Sequence, residues 1–511
     1  MCCQCINRRE FMGASASLAV GAAGLIHVAL AEAQPSYFST AEWDPAKPFL
    51  SIGKALRVQP VLMYRLPTRK EMSSWKSWGG VQTEAAANEE AQRIAKELED
   101  LAKRAPFPMT IQPVIHVTSP EEASASAAKE SDATIIYPAT GSGAMLTACV
   151  PDRGAIVFVR HKSGPVYYWY EALSTKYLKT ANDCESADKK LCVEDVVVDD
   201  PDELLWRLRA LYAVANFKGT RIVALGGAMG KYAGDAPKIA REKYGFDIVE
   251  VSYDDLGKRI ESAMADPVAM QRAEEWTQQY LKLPGTTLET ERPFVVNSFV
   301  LYGLFKQIMQ EHETSFFTIK DCMGTIMPMS KTTACLTLQL LNDEGYGAFC
   351  ESDFVVVPTG VFLRHLTGQP VFMHNSTFPH NAMVTCAHCT GPRRMNGDRY
   401  EPARIVTHYE SEFGAAPKVE MPIGQELSFV NPEYTTGRWV GIRGTVESNP
   451  YYDICRSQQD VRVHGEWKKL LNEVRDSHWM MVYGDHLDAI GYAAPRIGIS
   501  WDNISGDARM A

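Results

Sequence analysis

The chain has 511 residues, a length that accommodates about two to four domains. Hydrophobic residues make up 45% and charged residues 22%, which is typical of a globular protein with an ample core. The formal net charge of -10 argues against a nucleic-acid-binding protein, because phosphate contacts need clustered lysine and arginine. The mature region has no uninterrupted apolar stretch of about eighteen residues, so we expect no membrane span there.

The N-terminus has the parts of a secretory signal peptide. The paired Arg8 and Arg9 precede an apolar run, residues 14–31, and small residues that suit a cleavage site follow it. The two arginines, followed by Phe11, resemble the twin-arginine signal for export. We therefore expect residues 1–33 to be removed and the mature protein to be periplasmic or otherwise extracytoplasmic. The alternative is a membrane anchor that is never cleaved.

Alternating strands and helices predict a first α/β domain over residues 34–200. Apolar runs predict strands, and one amphipathic pattern predicts a helix; the strands are 58–64, 110–117, 133–137 and 155–160, and the helix is 84–103. This order is typical of a mainly parallel sheet. The polar stretch 174–202 is interpreted as a loop or linker. Within it, Cys184 and Cys192 could form a disulfide in an oxidising compartment or remain two surface thiols.

A second α/β domain is predicted over residues 201–370. Strands and helices again alternate; the strands are 221–225 and 247–251, and the helices are 204–216, 237–244, 253–265, 268–281 and 294–313. The glycine-rich turn at 226–230 could bind a phosphate at a helix N-terminus. It lacks the full spacing of a dinucleotide-binding fingerprint, so we interpret it as a plain tight turn.

The C-terminal part, residues 371–511, has a different character. Short β-like runs separated by glycine, proline and asparagine predict a β-rich domain, such as a small barrel; the runs are 405–409, 418–421, 427–430, 438–446 and 461–463. One helix is predicted at 466–475. The fold class is therefore α/β, with two parallel-sheet domains followed by a β-rich C-terminal domain.

Three side chains that could bind a metal stand next to predicted strands. Glu351 follows one apolar run, His388 ends a second, and His478 precedes a third. Side chains at the carboxyl ends of parallel strands lie where α/β sheets bind their ligands. One carboxylate and two imidazoles from different strands would form an open site for Mn²⁺, Co²⁺ or Mg²⁺ rather than a structural zinc site.

Residues near these three have structural interpretations as well as functional ones. Asp353 could act in catalysis, or it could cap a helix predicted to begin at residue 354. His374 and His380 could be further ligands or surface residues. Cys389 follows the candidate ligand His388, but it has no paired cysteine spacing of the kind that zinc sites use, so we discount it as a ligand.

The stretch around Glu351 resembles the core of the L-fucose/L-arabinose isomerase superfamily, especially its smaller fucose isomerase-related branch. The resemblance covers roughly residues 315–490 and rests on five motifs: Leu-Leu-Asn-Asp-Glu-Gly (340–345), Cys-Glu-Ser-Asp (350–353), Thr-Gly-Gln-Pro-Val-Phe (367–372), Ala-His-Cys-Thr-Gly-Pro (387–392) and Tyr-Gly-Asp-His (483–486). It implies two Rossmann-like or flavodoxin-like domains and a β-rich C-terminal domain. It also implies a bound divalent metal, usually Mn²⁺, and a trimer or hexamer.

Carried over residue by residue, the resemblance implies that Glu351 is a metal-binding carboxylate that also transfers protons. It places His388 and His478 at the metal or the substrate. The second carboxylate of the family aligns with Asn375, or with His374 if the register slips by one residue, and neither of these is an acid. An amide cannot exchange a proton near neutral pH, whereas an imidazole can.

We therefore predict an exported, metal-dependent sugar isomerase that interconverts aldoses and ketoses through a cis-enediol. The candidate catalytic residues are Glu351, His374 and Asp353. The candidate metal ligands are Glu351, Asn375, His388 and His478. The alternatives are a non-catalytic sugar-binding protein on the same fold and another metal-assisted enzyme, such as a lyase or an epimerase, acting on sugar-like substrates.

Overall fold

The computed structural model describes residues 42–167, 173, 177–178, 191–435, 437–473 and 476–506. The predicted signal peptide, residues 1–33, lies outside this part. Cys192 is disulfide-bonded, so the alternative of a free surface thiol is wrong for this residue. Cys184, the partner considered for it, lies outside the described residues, and the pairing of the two stays open. Among the described residues, no helix has both the length and the apolar character that crossing a membrane requires.

The first sheet is parallel and is built from short apolar strands. Its order is β2-β1-β4-β5-β6, and β3 pairs with the end of β1; the strands are β1 (Leu56–Met63), β2 (Met109–Ile111), β3 (Ile115–Val117), β4 (Ala133–Pro138), β5 (Ile156–Val159) and β6 (Val196–Val198). Its helices are α1 (Glu84–Arg104), α2 (Pro120–Ala127) and α3 (Gly143–Cys149). The predicted strand 110–117 is divided, because Pro113 between β2 and β3 has no N–H to donate. Strand β6 lies within the stretch predicted as a loop.

The second sheet is also parallel, with the order β11-β10-β7-β8; its strands are β7 (Arg221–Leu225), β8 (Asp247–Val251), β10 (Phe316–Ile319) and β11 (Gly347–Phe349). Its helices are α4 (Pro201–Phe217), α5 (Ala236–Tyr244), α6 (Tyr253–Ala265), α7 (Pro267–Leu281), α8 (Arg292–Glu311), α9 (Met327–Ser330), α10 (Cys335–Glu344) and α11 (Val357–Thr367). From β7 the chain adds β8 on one side and then β10 on the other. Such a reversal of strand order opens a crevice at the carboxyl ends of the strands.

The C-terminal part contains a closed antiparallel barrel. Its six strands follow the order β16-β19-β12-β13-β18-β17, and β16 pairs with β17 to close it; they are β12 (Phe372–Ser376), β13 (Met383–His388), β16 (Glu426–Pro432), β17 (Arg438–Ser448), β18 (Ser457–Val463) and β19 (His478–Tyr483). The helices α12 (Trp467–Glu473) and α13 (Leu487–Ala493) and the strand β20 (Ser500–Asn503), which pairs with β17, complete this part. The prediction of parallel sheets followed by a β-rich part with a small barrel is confirmed.

A third, smaller sheet joins segments on both sides of the predicted boundary at residue 370. Strand β9 (Thr286–Leu288) pairs in parallel with β14 (Ala403–Val406), which pairs with β15 (Ala416–Val419) in the antiparallel sense. The predicted strand 405–409 therefore starts and ends earlier than expected. Because the pairing crosses the boundary, backbone hydrogen bonds join the segment between α7 and α8 to the segment that follows β13.

A buried ion pair anchors α1 to the first sheet. The Arg160 guanidinium, which follows β5, pairs with the Glu90 carboxylate of α1, and each side chain is only 1% exposed. The Tyr167 hydroxyl donates a further hydrogen bond to Glu90. A charge buried in this way is tolerated only while its partner and hydrogen bonds are present.

Replacing Arg160 with alanine should lower the free energy of unfolding by about 3–5 kcal/mol, because it removes the buried cation that faces Glu90. Arg93→Ala is the matched control, since Arg93 also pairs with Glu90 but its side chain is 47% exposed. We expect the control to lose about 1 kcal/mol or less. Urea-induced unfolding followed by tryptophan fluorescence measures both losses, and equal losses would contradict this account of the buried pair.

A second buried carboxylate supports the loop that leaves β13. Asp343, near the end of α10, accepts hydrogen bonds from the backbone N–H groups of Arg393 and Arg394, at 2.6 and 2.9 Å. Burial raises the pKa of Asp343 to about 6, although the Arg394 backbone and the Gln339 side chain favour the ionised form. The folded state therefore binds the proton more tightly than the unfolded state does.

The contribution of Asp343 to the stability of the protein should consequently fall as the pH rises from about 4 to about 6, because the unfolded chain gives up this proton first. Asp343→Asn has no proton to lose at this position. We expect the unfolding free energy of the wild type, relative to Asp343→Asn, to fall by on the order of 2–3 kcal/mol between pH 4 and 7. Denaturant unfolding of both proteins across this range measures the difference. A difference that does not change with pH would refute the assignment.

Candidate metal centre

Two loops of the second sheet and two strand ends of the barrel meet at one place. The loops follow β7 and β11, and backbone hydrogen bonds join them across the intervening strand β10. The N–H of Met229 donates to the carbonyl of Ser352 at 3.1 Å, and the N–H of Phe354 donates to the carbonyl of Met229 at 2.8 Å. His388 is the last residue of β13 and His478 the first residue of β19, so the barrel presents both imidazoles at this edge.

Glu351 follows β11 in an unusual backbone conformation. Its φ is +62° and that of Ser352 is +49°, in the left-handed region that residues other than glycine rarely adopt. Each such residue costs roughly 1–3 kcal/mol and persists only where the surrounding contacts hold it. The turn also delays the next helix, which begins at Val357 rather than at the predicted residue 354.

The three residues proposed from the sequence as a metal-binding set are close together. The Oε1 atom of Glu351 lies 3.4 Å from Nε2 of His478 and 3.7 Å from Nε2 of His388. One donor atom from each residue lies within 4.8 Å of the other two. His478 is 0% and His388 5% exposed, whereas the Glu351 side chain is 35% exposed. The site is therefore closed on the barrel side and reachable from solvent on the carboxylate side.

Asp353 holds His478 from behind. Its Oδ2 atom lies 2.9 Å from Nδ1 of His478, and its Oδ1 atom accepts the backbone N–H groups of Lys231 and Val355, at 3.0 and 3.2 Å. Asp353 is fully buried. It therefore orients His478 and the loop after β7, instead of capping a helix at residue 354.

A hydroxyl group plays a comparable part at His388. The Oγ1 atom of Thr390 lies 3.2 Å from Nδ1 of His388. Both imidazoles thus have a partner at Nδ1 and direct Nε2 toward Glu351. Partners at the second ring nitrogen are the usual way in which proteins fix the tautomer and orientation of metal-binding histidines.

The site contains one charged residue that we did not predict from the sequence. The Nζ atom of Lys231 lies 3.2 Å from Oε2 of Glu351 and 3.5 Å from Nε2 of His478. Lys231 directly follows the glycine-rich turn that we interpreted as a plain tight turn. That turn needs glycine, since a Cβ at Gly226 would lie 2.3 Å from the ring of Tyr253 and its φ is +78°. The glycine-rich turn was the only sequence feature that could have pointed to Lys231. Nothing in the sequence showed that the residue after the turn contacts Glu351.

The charges in this group stabilise one another. Burial would raise the pKa of Glu351, but hydrogen bonds and charges from His388 and His478 outweigh it and hold the pKa well below its usual range. Burial opposes protonation of His478, yet its bonds to Asp353 and Glu351 raise its pKa to about 9. Burial lowers the pKa of His388 in spite of the nearby carboxylate. For Lys231, the charge of Glu351 outweighs burial and raises the pKa.

The other two candidates lie on β12, which runs between β13 and β19. Asn375 pairs with His478 on one side and with Ala387 on the other, so it stands next to the three central residues. Its Nδ2 atom donates to the carbonyl of Ser477 at 3.2 Å. Asn375 thus lies beside His478 with an amide, not a carboxylate, at this position of β12, and its role as a metal ligand stays a prediction.

His374 is placed differently. It is fully buried and contacts the rings of Phe372, Phe429 and Trp479, with centroid distances of 5.5 to 6.1 Å. Burial lowers its pKa to about 3. His374 therefore belongs to the aromatic core of the barrel, and a neutral, enclosed imidazole is poorly placed to exchange protons with a substrate.

The donor atoms have the spacing that a divalent cation requires. Two donors bound to one ion at adjacent positions, each about 2.0–2.3 Å from it, lie roughly 3–4 Å apart. The observed separations of 3.4 and 3.7 Å fall in this range. One carboxylate and two imidazoles suit Mn²⁺, Co²⁺ or Mg²⁺ more than a structural zinc. Because His478 holds a proton strongly, a cation would bind in competition with that proton.

Comparison of the chain with known protein families found no family that matches it. The same holds for comparison with curated proteins, none of which matches. The arrangement of Glu351, His388, His478 and Lys231 therefore has to be interpreted from its own geometry.

Proposed function

We propose that this protein is a metal-dependent sugar isomerase. It would interconvert an aldose and a ketose by moving a proton between two adjacent carbons of the same sugar. The observation that carries the proposal is the convergence of Glu351, His388 and His478, with donor separations suited to one divalent cation. Mn²⁺ is the cation we expect, with Co²⁺ or Mg²⁺ as substitutes. Strand orders with a reversal next to the first strand, in both parallel sheets, support two flavodoxin-like domains as the framework.

Glu351, His388 and His478 would hold the cation. A bound divalent cation would supply positive charge beside the sugar oxygens, where negative charge develops during proton transfer. Glu351 is the proposed base, since it is the carboxylate exposed to solvent at this site. It would remove the proton from one carbon and return it to the neighbouring carbon, so that no net proton is gained or lost.

Lys231 would replace the second carboxylate of the resembling family, which aligns here with Asn375. Asn375 cannot release a proton, whereas the ammonium of Lys231 lies within hydrogen-bonding reach of Glu351 and is 29% exposed. It would donate hydrogen bonds to the two sugar oxygens and carry a proton between them. Asp353 has a positioning role, because it reaches the site only through His478 and the Lys231 backbone.

A non-catalytic sugar-binding protein is the second candidate. It is favoured by one observation: the Glu351 carboxylate is already paired with two imidazoles and an ammonium, which weakens it as a base. The same exposed carboxylate and ammonium would suffice to bind sugar hydroxyls. The two candidate functions are distinguished by measuring whether the protein forms ketose and whether Glu351→Gln abolishes this activity.

Export by the twin-arginine route remains part of the proposal. Disulfides form mainly in oxidising compartments, and Cys192 is disulfide-bonded. The twin-arginine route carries folded proteins, so the protein could bind its cation in the cytoplasm before export. Assembly into a trimer or hexamer also remains a proposal, and it rests on the resemblance alone.

Glu351→Gln should abolish isomerisation, lowering the rate at least about 100-fold, because an amide cannot take up the carbon-bound proton. The purified full chain is incubated with Mn²⁺ and L-fucose, D-arabinose or L-arabinose, and ketose formation is measured. Glu250→Gln is the matched control, since Glu250 lies on β8 of the same sheet and pairs with Arg241 at the surface. Metal-loaded wild type that forms no ketose from any of these sugars, but binds one of them in calorimetry, would favour the binding protein.

Asp353→Asn should weaken Mn²⁺ binding about 10- to 100-fold, because it removes the carboxylate that orients His478. Asp321→Asn is the control, since Asp321 follows β10 at the same edge of the sheet and its side chain is 64% exposed. The concentration of free Mn²⁺, followed by electron paramagnetic resonance during titration, gives both affinities. Equal affinities for the wild type and Asp353→Asn would contradict the positioning role of the Asp353 carboxylate.

A further inference from the structure

A second group of metal-binding side chains lies beside the first one. Cys335, Cys389 and His408 are buried, and one donor atom from each lies within 4.8 Å of the other two. Cys455 packs against the same group. None of these three cysteines is in a disulfide. Two sulfurs and one nitrogen thus surround one buried point, and a third sulfur, that of the half-buried Cys455, lies next to them.

The four residues come from four separate segments. Cys335 is the first residue of α10, and Cys389 directly follows β13. His408 lies two residues beyond β14, and Cys455 lies two residues before β18. The sequence of a structural zinc site usually contains pairs of ligands a few residues apart. These four residues lack that spacing, because the fold brings them together from distant positions. For that reason Cys389 was discounted on its sequence spacing.

The imidazole gives an independent indication of a ligand. The Nδ1 atom of His408 is buried without a hydrogen-bond partner in the part of the chain that the structure describes, and the residue is 6% exposed. A buried polar atom without a partner costs free energy. A cation bound by this ring and the three sulfurs would remove that cost.

We propose that Cys335, Cys389, His408 and Cys455 bind a structural Zn²⁺. Three thiolates and one imidazole are a known tetrahedral zinc set, in which two sulfurs lie about 3.8 Å apart at zinc–sulfur distances of about 2.3 Å. The three grouped donors therefore need only a small contraction, and the Cys455 side chain would turn toward them as the fourth ligand. Soft sulfur ligands select zinc over Mn²⁺, so this site and the Glu351 site would hold different metals.

One element of the fold would stabilise a thiolate in this cluster. Cys335 stands at the N-terminus of the ten-residue helix α10, where the helix dipole and free N–H groups stabilise negative charge. Binding one Zn²⁺ would release the three thiol protons to solvent and form four coordinate bonds, with no change of oxidation state.

The site would fasten the end of β13. His388 and Cys389 are adjacent in the chain, so an ion bound by Cys389 fixes the backbone next to a residue of the candidate metal centre. The same ion would tie α10 of the second sheet to the barrel. This inference stands independently of the proposed isomerase activity, because the four donors and the buried His408 nitrogen carry it.

The test uses the full chain purified without chelator. Its zinc content is measured by plasma mass spectrometry, and we expect about one zinc atom per chain at this site. Cobalt-substituted protein should show the near-ultraviolet thiolate-to-cobalt charge-transfer absorption that a carboxylate–imidazole site cannot produce. Cys389→Ser and His408→Ala should lose most of the zinc and change this absorption. Cys386→Ser, a buried cysteine of β13 outside the cluster, should leave both unchanged.

Glu351→Gln separates the two metal sites, because it should keep the zinc and the cobalt–thiolate absorption. If the cluster variants do not fold, the wild type is titrated with an organic mercurial, and zinc should be released in proportion to the cysteines modified. Wild-type protein without thiolate-bound metal, or with Cys389 in a disulfide, would overturn the proposal. Zinc that is lost in Glu351→Gln and retained in Cys389→Ser would overturn it as well.

Discussion

The partly buried charge of Glu351 is the constraint on which this site depends. A carboxylate that has lost part of its hydration is stabilised by neighbouring cations or hydrogen-bond donors. Glu351 has two imidazoles and one ammonium beside it, and it is held in a left-handed turn at the end of β11. When His478 is protonated, His478 and Lys231 place two positive charges beside Glu351, and the carboxylate of Asp353 contacts His478 from the other side. A divalent cation that displaces this proton would take over the same electrostatic role.

Two different architectures are needed to assemble these charges. A parallel sheet brings the loops after β7 and β11 to one edge, and these loops carry Lys231 and Glu351. A closed barrel brings the ends of β13 and β19 to the same edge, with His388 and His478. The small third sheet joins segments that flank both structures, since β9 precedes α8 and β14 follows β13. The buried Asp353 completes the link, because it contacts His478 of the barrel and the Lys231 backbone of the sheet.

Much of this arrangement could be predicted from local patterns. Periodicity located most strands and helices, and the strand-end positions of Glu351, His388 and His478 singled them out correctly as neighbours. The patterns did not reveal partners that come together only in three dimensions. Lys231 follows an ordinary glycine turn, which does not show that it contacts Glu351. Asp353 orients His478, a residue more than a hundred positions away in the chain. His374 was misjudged because its direction from β12, into the aromatic core, follows from the strand register rather than from its own sequence neighbourhood.

The central claim is that one divalent cation binds between the parallel sheet and the barrel. A crystal of the full chain soaked in Mn²⁺, with anomalous diffraction recorded at the manganese edge, tests it most directly. The account predicts one anomalous peak in bonding contact with Glu351, His388 and His478. It is contradicted if these three residues adopt the described positions and the Mn²⁺ binds elsewhere or not at all.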